Sequence, residues 1–483
     1  MFKTISAKIQ RDKDYPLRQF TIDVLTRVLD GKLYDHMEFD FHQEKQDGLD
    51  IYIPLRDRRP SVRYALSRIV VDDSVSLLFS EGHFPTVQCE DKPTAEGLAA
   101  IIKECRLNEK MIEAATTGSV GSVAIWLRVL SNRVFVDAMN TQFLKPVWKK
   151  EAPDTLEKVT EQYKVKGETL KDMGYDIAAD DMQTDYWFRR EWDEVAETWF
   201  MPWKVADANT LPVPDTKNTT NHKLGFVPII WVKNLPGGDQ IDGKPTFSTE
   251  VIDTQIEIDY QLSQAGRGLK YSSDPTLLIK EPAADNDGKM VKGGGNAIVV
   301  GKDGDAKMLE IGGTAAQAVI EYVRALREMA LESAHGNRSS ADKISAAQSG
   351  RAMELMNQAL IWLADKLRIS YGEGALLALL RMIVKARAKY TLTADGKELP
   401  EFAQDKLISL RWPAWYAPTV EDMKARATTL RTLCDAGLMS RLTAIKTIAA
   451  EYDIEDVDAE KALADAEMEA RNAAAEVKAS VVE

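Results

Sequence analysis

Side chains able to hold a metal or attack a carbonyl are few in this chain, and they are scattered. The five histidines, His36, His42, His83, His222 and His335, show no HExxH or other close ligand spacing. A divalent ion would therefore find no local pair of imidazoles to build on. The three cysteines, Cys89, Cys105 and Cys434, form no CxxC pair and no even framework. They read as small apolar side chains of a protein assembled under reducing conditions. Gly293-Gly294-Gly295 lacks the downstream Gly-Lys-Ser/Thr of a phosphate-binding loop, and a strand pattern follows it instead of a helix. No serine sits in a G-x-S-x-G elbow. No enzyme class is indicated, and neither a cofactor nor a metal is expected.

Trp187, Trp192, Trp199, Trp203 and Trp231 crowd one stretch of the chain. Indole faces can stack on unpaired bases. Here Glu191, Asp193, Glu194 and Glu197 are interleaved with them and would repel phosphate. Packing in a core or between subunits fits that pattern better.

The chain has 483 residues and a formal net charge of −13. It is too long for one compact core. A tight nucleic-acid binder carries a basic face, because counterion release dominates that affinity. The acidic balance excludes a tight grip on DNA but suits a surface that DNA slides past. The start, MFKTISAKIQRDKDY, has no apolar signal core, and Ala375–Val384 is interrupted by Arg381 and too short to span a bilayer. A soluble, unsecreted protein without membrane contact is expected.

The elements that position these residues make an α+β chain. Helical spacing covers Tyr15–Leu29 and Ser61–Leu78, and another helix begins at Leu98–Cys105. Val123–Leu130 and Arg133–Asp137 flank Ser131-Asn132 as a β-hairpin. Val159–Val165, Thr184–Trp192 and Glu194–Trp203 are β-rich, and Gly225–Val232 closes the series with Pro228 at an edge or bulge. A helix opens at Ser248, with Val251, Ile258, Leu262, Ala265 and Leu269 on one face and Glu250, Asp253 and Glu257 near its positive end. Asp274-Pro275 ends it. Three short strands follow, Thr276–Ile279, Ala297–Val300 and Met308–Ile311. Two long helices then occupy 314–390, separated by the polar break His335-Gly336-Asn337-Arg338-Ser339-Ser340. The turn Asp395-Gly396 and the segment Leu407–Trp412 read as a hairpin returning to the N-terminal part. Pro418 and Thr419 open a helical end, with a stop and restart at Cys434–Ser440.

The order of these elements resembles the portal proteins of tailed bacteriophages, in the siphophage-type form, along nearly the whole chain. Several segments carry the resemblance. Leu224-Gly225-Phe226-Val227-Pro228-Ile229-Ile230 followed by Asn234 looks like the stretch before the first stem helix, and Asp253–Ser263 with Ser273-Asp274-Pro275 looks like that helix running into the clip. Ser349-Gly350-Arg351-Ala352-Met353-Glu354-Leu355 is similar to the start of the long helix after the tunnel loop. Ala436-Gly437-Leu438-Met439-Ser440 with Thr443-Ala444 is similar to the start of the crown.

The resemblance implies a portal fold. Its parts are a mixed α/β wing (1–247 and returning strands 391–416), a two-helix stem (248–271 and 314–334) and a small β-rich clip inserted between the stem helices (272–313). A tunnel loop (335–347), a long kinked wing helix (348–390) and a helical crown with an acidic tail (417–483) complete it. Gly372 and Gly374 are the expected bend, since glycine weakens a helix. The resemblance further implies a homo-oligomeric ring, typically of twelve subunits, at one capsid vertex of a virion assembled in the host cytoplasm. Double-stranded DNA would pass through it in packaging and ejection without tight binding. The terminase large subunit and then head–tail connector or adaptor proteins would dock on the clip, with major capsid and scaffolding proteins around the ring. His335, Asn337, Arg338, Ser339, Ser340, Asp342 and Lys343 would line the narrowest passage, with nearly balanced charge. Lys280, Asp287, Lys289, Lys292 and Asn296 would face the docking partners. Two other readings stand beside this one. A ring-forming head–tail adaptor or structural virion protein without a translocation role is one, although adaptors are shorter. An enzyme with an unrecognised site is the other.

Overall fold

The computed structural model describes residues 1–46, 48–207, 210–273, 276–282, 300–309, 314–335, 350–416, 419–449, 454 and 456–482. They form two compact units, Met1–Arg338 with Asn357–Pro413 and Ser339–Met356 with Ala414–Glu483.

In the first unit, α1 (Leu17–Leu29) starts directly after Pro16, whose fixed φ turns the chain into the helix. Helix α2 (Leu66–Phe79) begins later than apolar spacing alone predicts. Strand β1 (Thr86–Cys89) leads to α3 (Lys92–Glu104), which starts well before Leu98 because Asp91 caps it, accepting from the Thr94 N–H at 3.0 Å. Helix α4 (Leu107–Gly118) follows.

Strands β2 (Ser122–Leu130) and β3 (Arg133–Asn140) form the expected hairpin. Ser131 and Asn132 take φ of 48° and 65°, the left-handed pair that a two-residue turn between twisted strands requires. Strands β4 (Leu144–Trp148), β5 (Leu156–Lys166), β6 (Asp185–Trp192) and β7 (Ala196–Trp199) are consecutive neighbours in a six-stranded antiparallel sheet. Strand β8 (Ile229–Lys233) lies against β2 at the edge of a second sheet, ordered β8-β2-β3. Pro228 stands just before it, where a missing N–H costs no ladder bond.

Helix α5 (Thr249–Ser273) precedes a hairpin of β9 (Thr276–Pro282) and β10 (Val300–Leu309), after which α6 (Thr314–Ser333) begins. The sequence suggested separate strands near residues 300 and 308. They belong to one strand, Val300–Leu309, in which Asp305–Leu309 pair with Lys280–Thr276 and, past a shift in register, Val300 stands opposite Pro282.

Helix α7 (Gln358–Leu367) continues through a π-helical stretch, Arg368–Leu376, into α8 (Leu377–Arg387). The helical run expected over 348–390 is irregular at Asn357, between Gly350–Met356 and α7. Asp395-Gly396 joins Thr393–Ala394 to Lys397–Glu398 in a small hairpin of its own. Strand β11 (Ile408–Arg411) instead pairs antiparallel with β1, Ile408 opposite Cys89.

One apolar core joins α2, α4, β2, α5 and α8 through Val70, Met111, Ile125, Ile256 and Leu380, all buried. A smaller cluster holds Trp126, Val159, Trp192 and Ile229. Trp192 is fully buried, and the Arg190 guanidinium lies 4.7 Å from its ring centroid and 5.3 Å from that of Trp126. Arg190 also pairs with Glu161 and, at 3.6 Å, with Glu197. One of the interleaved acids, Glu197, therefore serves an internal cation–π assembly, and base stacking on Trp192 is closed off. Among the cysteines, burial pushes the Cys105 thiol up to about 11, leaving it protonated and unreactive.

In the second unit, Thr419 and Asp422 form a capping box at the start of α9 (Val420–Asp435). Gly437 at φ 69° ends that helix, and Ser440 caps α10 (Arg441–Ile448). Helix α11 (Val457–Val482) completes the unit. Arg441 binds Asp465 at 2.9 Å across α10 and α11.

Gly118 shows how closely α4 meets the π-helical stretch. A Cβ there would stand 2.2 Å from the Tyr371 hydroxyl and 3.0 Å from Val123 Cγ1. Gly118→Ala is expected to destabilise the protein by about 1–3 kcal/mol in denaturant unfolding. With Tyr371→Phe in the same chain, the combined loss should be smaller than the sum of the single losses. Strictly additive losses would mean that the two positions do not press on each other.

Candidate functional site

Helix α5 gathers polar bonds from several distant segments. Val251, Ile252, Ile256 and Ile258 bury its apolar side. Gln255, Asp259 and Ser263, spaced by four, share one helical face and are buried as well. Each receives a backbone N–H from the chain entering α2. Gln255 Oε1 accepts from Ser67 at 2.9 Å, Asp259 Oδ1 from Tyr64 at 2.5 Å, and Ser263 Oγ from Val62 at 3.0 Å. Those bonds hold residues 62–64 out of helical geometry, which is why α2 starts at Leu66 and not at Ser61. The Tyr34 hydroxyl donates to Asp259 Oδ2 at 2.8 Å, and the Tyr260 hydroxyl donates to the Arg58 carbonyl at 3.0 Å. The N-terminus docks on the same helix, with the α-amino group 2.9 Å and the Phe2 N–H 2.6 Å from Asp253 Oδ1. Asp253 thus does more than complement the helix dipole.

Sequence reading missed this ladder, although a signal was present. Three polar residues at a strict step of four, set among isoleucines and tyrosines, mark a buried polar seam.

Helix α6 packs beside α5, with Val323 and Leu326 against the main core and Ala330 and Leu331 buried. It closes at exposed His335, whose φ of 54° is the left-handed value that ends helices. The other residues of the expected passage loop, Asn337, Arg338, Ser339, Ser340, Asp342 and Lys343, lie outside the described residues. Of the expected docking residues, Lys280 is exposed on β9 and stands opposite Asp305 of β10. Asp287, Lys289, Lys292 and Asn296 lie outside the described residues.

Gly372 and Gly374 fall within the π-helical stretch. A Cβ on Gly372 would meet Trp412 Cζ2 at 2.4 Å, so this position must be bare for the returning chain to pack. The widened turn also aims two neighbours at Asn234. The Ser370 hydroxyl donates to its carbonyl at 2.6 Å, and the Tyr371 hydroxyl to its Oδ1 at 3.0 Å. Asn234 Nδ2 in turn donates to the Lys244 carbonyl at 2.9 Å and to Thr246 Oγ1 at 3.0 Å. Asn234 thereby ties the segment before α5 to the helix that follows the loop.

Among the described residues, no group of three or more His, Cys, Asp and Glu side chains could hold a metal ion. No described helix is long and apolar enough to cross a membrane. The described residues hold paired helices, a β-hairpin between them in sequence and a polar junction at Asn234.

The family model for "Phage portal protein, SPP1 Gp6-like" matches residues 66–472. A search of curated proteins by sequence finds no match. Among solved structures, a chain from the "Neck of empty GTA particle computed with C6 symmetry" is similar at 11% identity and a TM-score of 0.39, over 80% of this chain and 88% of that one. That likeness is too slight to bear on function.

Asp259 gives the anchor a pH signature. Burial pushes its carboxyl up to about 7, against the Tyr64 and Tyr34 donors and the nearby Arg63 charge, which favour the anion. The unfolded chain ionises this group near 4, so between about pH 4 and 7 the folded state binds the extra proton. Its contribution to stability is full below that range and is lost as pH rises through 7, by on the order of 4 kcal/mol. In Asp259→Asn, which keeps an acceptor for Tyr64, unfolding measured from pH 5 to 8 should show a flatter slope. An unchanged slope would place the titration elsewhere.

Proposed function

We propose how this chain, which belongs to the SPP1 Gp6-like phage portal proteins, carries out the packaging role of that family. It is a structural component of a tailed-phage particle at a capsid vertex, and it serves DNA packaging. The family match across both units carries this reading.

In our proposal the protein forms a ring of about twelve subunits, a number taken from the family resemblance rather than from geometry, since rotation between subunits depends on interfaces that a single chain does not encode. Assembly takes place in the host cytoplasm. Residues 1–247 and 391–416 form the wing, with 348–390 as its long helix; 248–271 and 314–334 form the stem, 272–313 the clip and 417–483 the crown. The terminase large subunit docks on the clip around Lys280, Asp287, Lys289, Lys292 and Asn296, and connector proteins later take its place. Major capsid and scaffolding proteins surround the ring.

Loop 335–347 narrows the passage. Arg338 and Lys343 against Asp342 keep it close to neutral. That balance matters because each added phosphate contact raises affinity and so resists sliding. The overall charge of −13 supports the same reading. The run Glu451, Asp453, Glu455, Asp456, Asp458 and Glu460 would keep packaged DNA off the rim. Gly372 and Gly374 sit where the long helix bends into the wing, a placement that the π-helical stretch supports.

Two experiments address these assignments. Deleting Asn337–Ser340 should cut genome packaging about ten-fold or more while negative-stain images still show rings, because loop contacts act on transit and not on assembly. Normal packaging by that variant would remove the loop from the passage. Charge reversal at Lys289 and Lys292 should weaken pull-down of terminase or adaptor and leave ring formation intact. Unchanged docking would move the contact off the clip.

A further inference from the structure

Two apolar stripes of the first unit are uncovered, and they lie on different helices. On α6, Ala318, Tyr322, Ala325 and Met329 recur at steps of four, three and four, beside the face that packs inward. All four are exposed, Tyr322 by 46% and Met329 by 66%. That spacing is the seam of a helix laid lengthwise against another surface. Exposed Glu321 and Glu328 run along its outer margin. On α7 and the π-helical turn after it, Trp362 and Ile369 are exposed by 56% and 67%, with exposed Lys366 between them. Lys366 and Ile369 also border a groove of about 410 Å³ walled by the loop from Leu235 to Gly243.

We infer that these stripes are the two halves of one contact between copies of this chain: the α6 stripe of one subunit lies on the Trp362–Ile369 face of the next. The inference rests on the ring reading above and names the surfaces that would build the ring. Three observations support it. The stripes are different surfaces, so pairing one with the other is head-to-tail. Every added copy then leaves one stripe of each kind open until the ring closes, whereas like-with-like pairing would stop at a dimer. Opposite charges are available on both sides, with exposed Glu321, Glu328 and Arg324 along α6 against exposed Lys366 and Asp365 on the receiving face. The side chains are those that anchor protein contacts, since Trp, Tyr and Met are enriched where such interfaces are fully covered.

The test uses the full-length chain carrying Met329→Glu or Trp362→Glu, with particle mass read by mass photometry and folding checked by circular dichroism. Wild type should form rings. Each variant alone should lose them by roughly ten-fold or more and run as monomer. An equimolar mixture should give dimers but no rings, because each variant keeps the stripe that the other lacks. Should either charge unfold the chain, Met329→Ala and Trp362→Ala carry the same comparison. Rings from either variant alone would overturn the surface assignment while leaving the ring reading in place. Dimers of one variant by itself would overturn the head-to-tail pairing. Wild type that never forms rings would overturn the ring reading and this inference with it.

Discussion

Burying the polar face of α5 is the constraint on which most of the first unit depends. A carboxylate, an amide and a hydroxyl lie inside the protein at Asp259, Gln255 and Ser263. Without partners, each such group would cost on the order of 1–3 kcal/mol or more. Each is satisfied by a backbone N–H from residues 62–67, so the chain entering α2 has one workable path over α5. The docking of Tyr34 and of the N-terminus on the same helix follows from that placement. The helix is thus tied to its support by directional bonds as well as by apolar packing. Apolar packing tolerates sliding, whereas a register of hydrogen bonds does not.

Asn234 plays a corresponding part for the segment just before α5. It is fully buried, and its side-chain oxygen and nitrogen are both used. Reaching it requires the helix after the loop to widen between Arg368 and Leu376, so that Ser370 and Tyr371 point at one residue. The π-helical turn is costly in local terms. Close packing of Gly118 under Tyr371 and of Gly372 under Trp412 offsets that cost, and in both places a methyl group would not fit. Elements on either side of the loop are therefore joined through Asn234 and not only through the chain between them.

Charge follows a different logic. The net charge is −13, yet many individual charges are spent internally. Arg190 lies among three indole rings and two glutamates, and Arg18 is held by Asp242 at 2.6 Å. Basic residues committed in this way are less available to phosphate.

Local patterns in the sequence determined the order and type of the elements: the Ser131-Asn132 hairpin, the helix before the β insert, the helical pair around His335 and the caps at Thr419 and Ser440. Each rests on interactions between residues a few positions apart, which a single chain displays directly. Boundaries failed where distant partners intervened. Helix α2 lost its first turn to α5, about 190 residues downstream, and Leu407–Trp412 left its neighbouring turn to pair with β1, more than 300 residues upstream. The polar ladder, the Asn234 junction and the exposed stripes of α6 and α7 likewise belong to tertiary structure. Sequence periodicity shows that a face exists, but only the packed chain decides what covers it, because burial is settled by segments far apart in sequence.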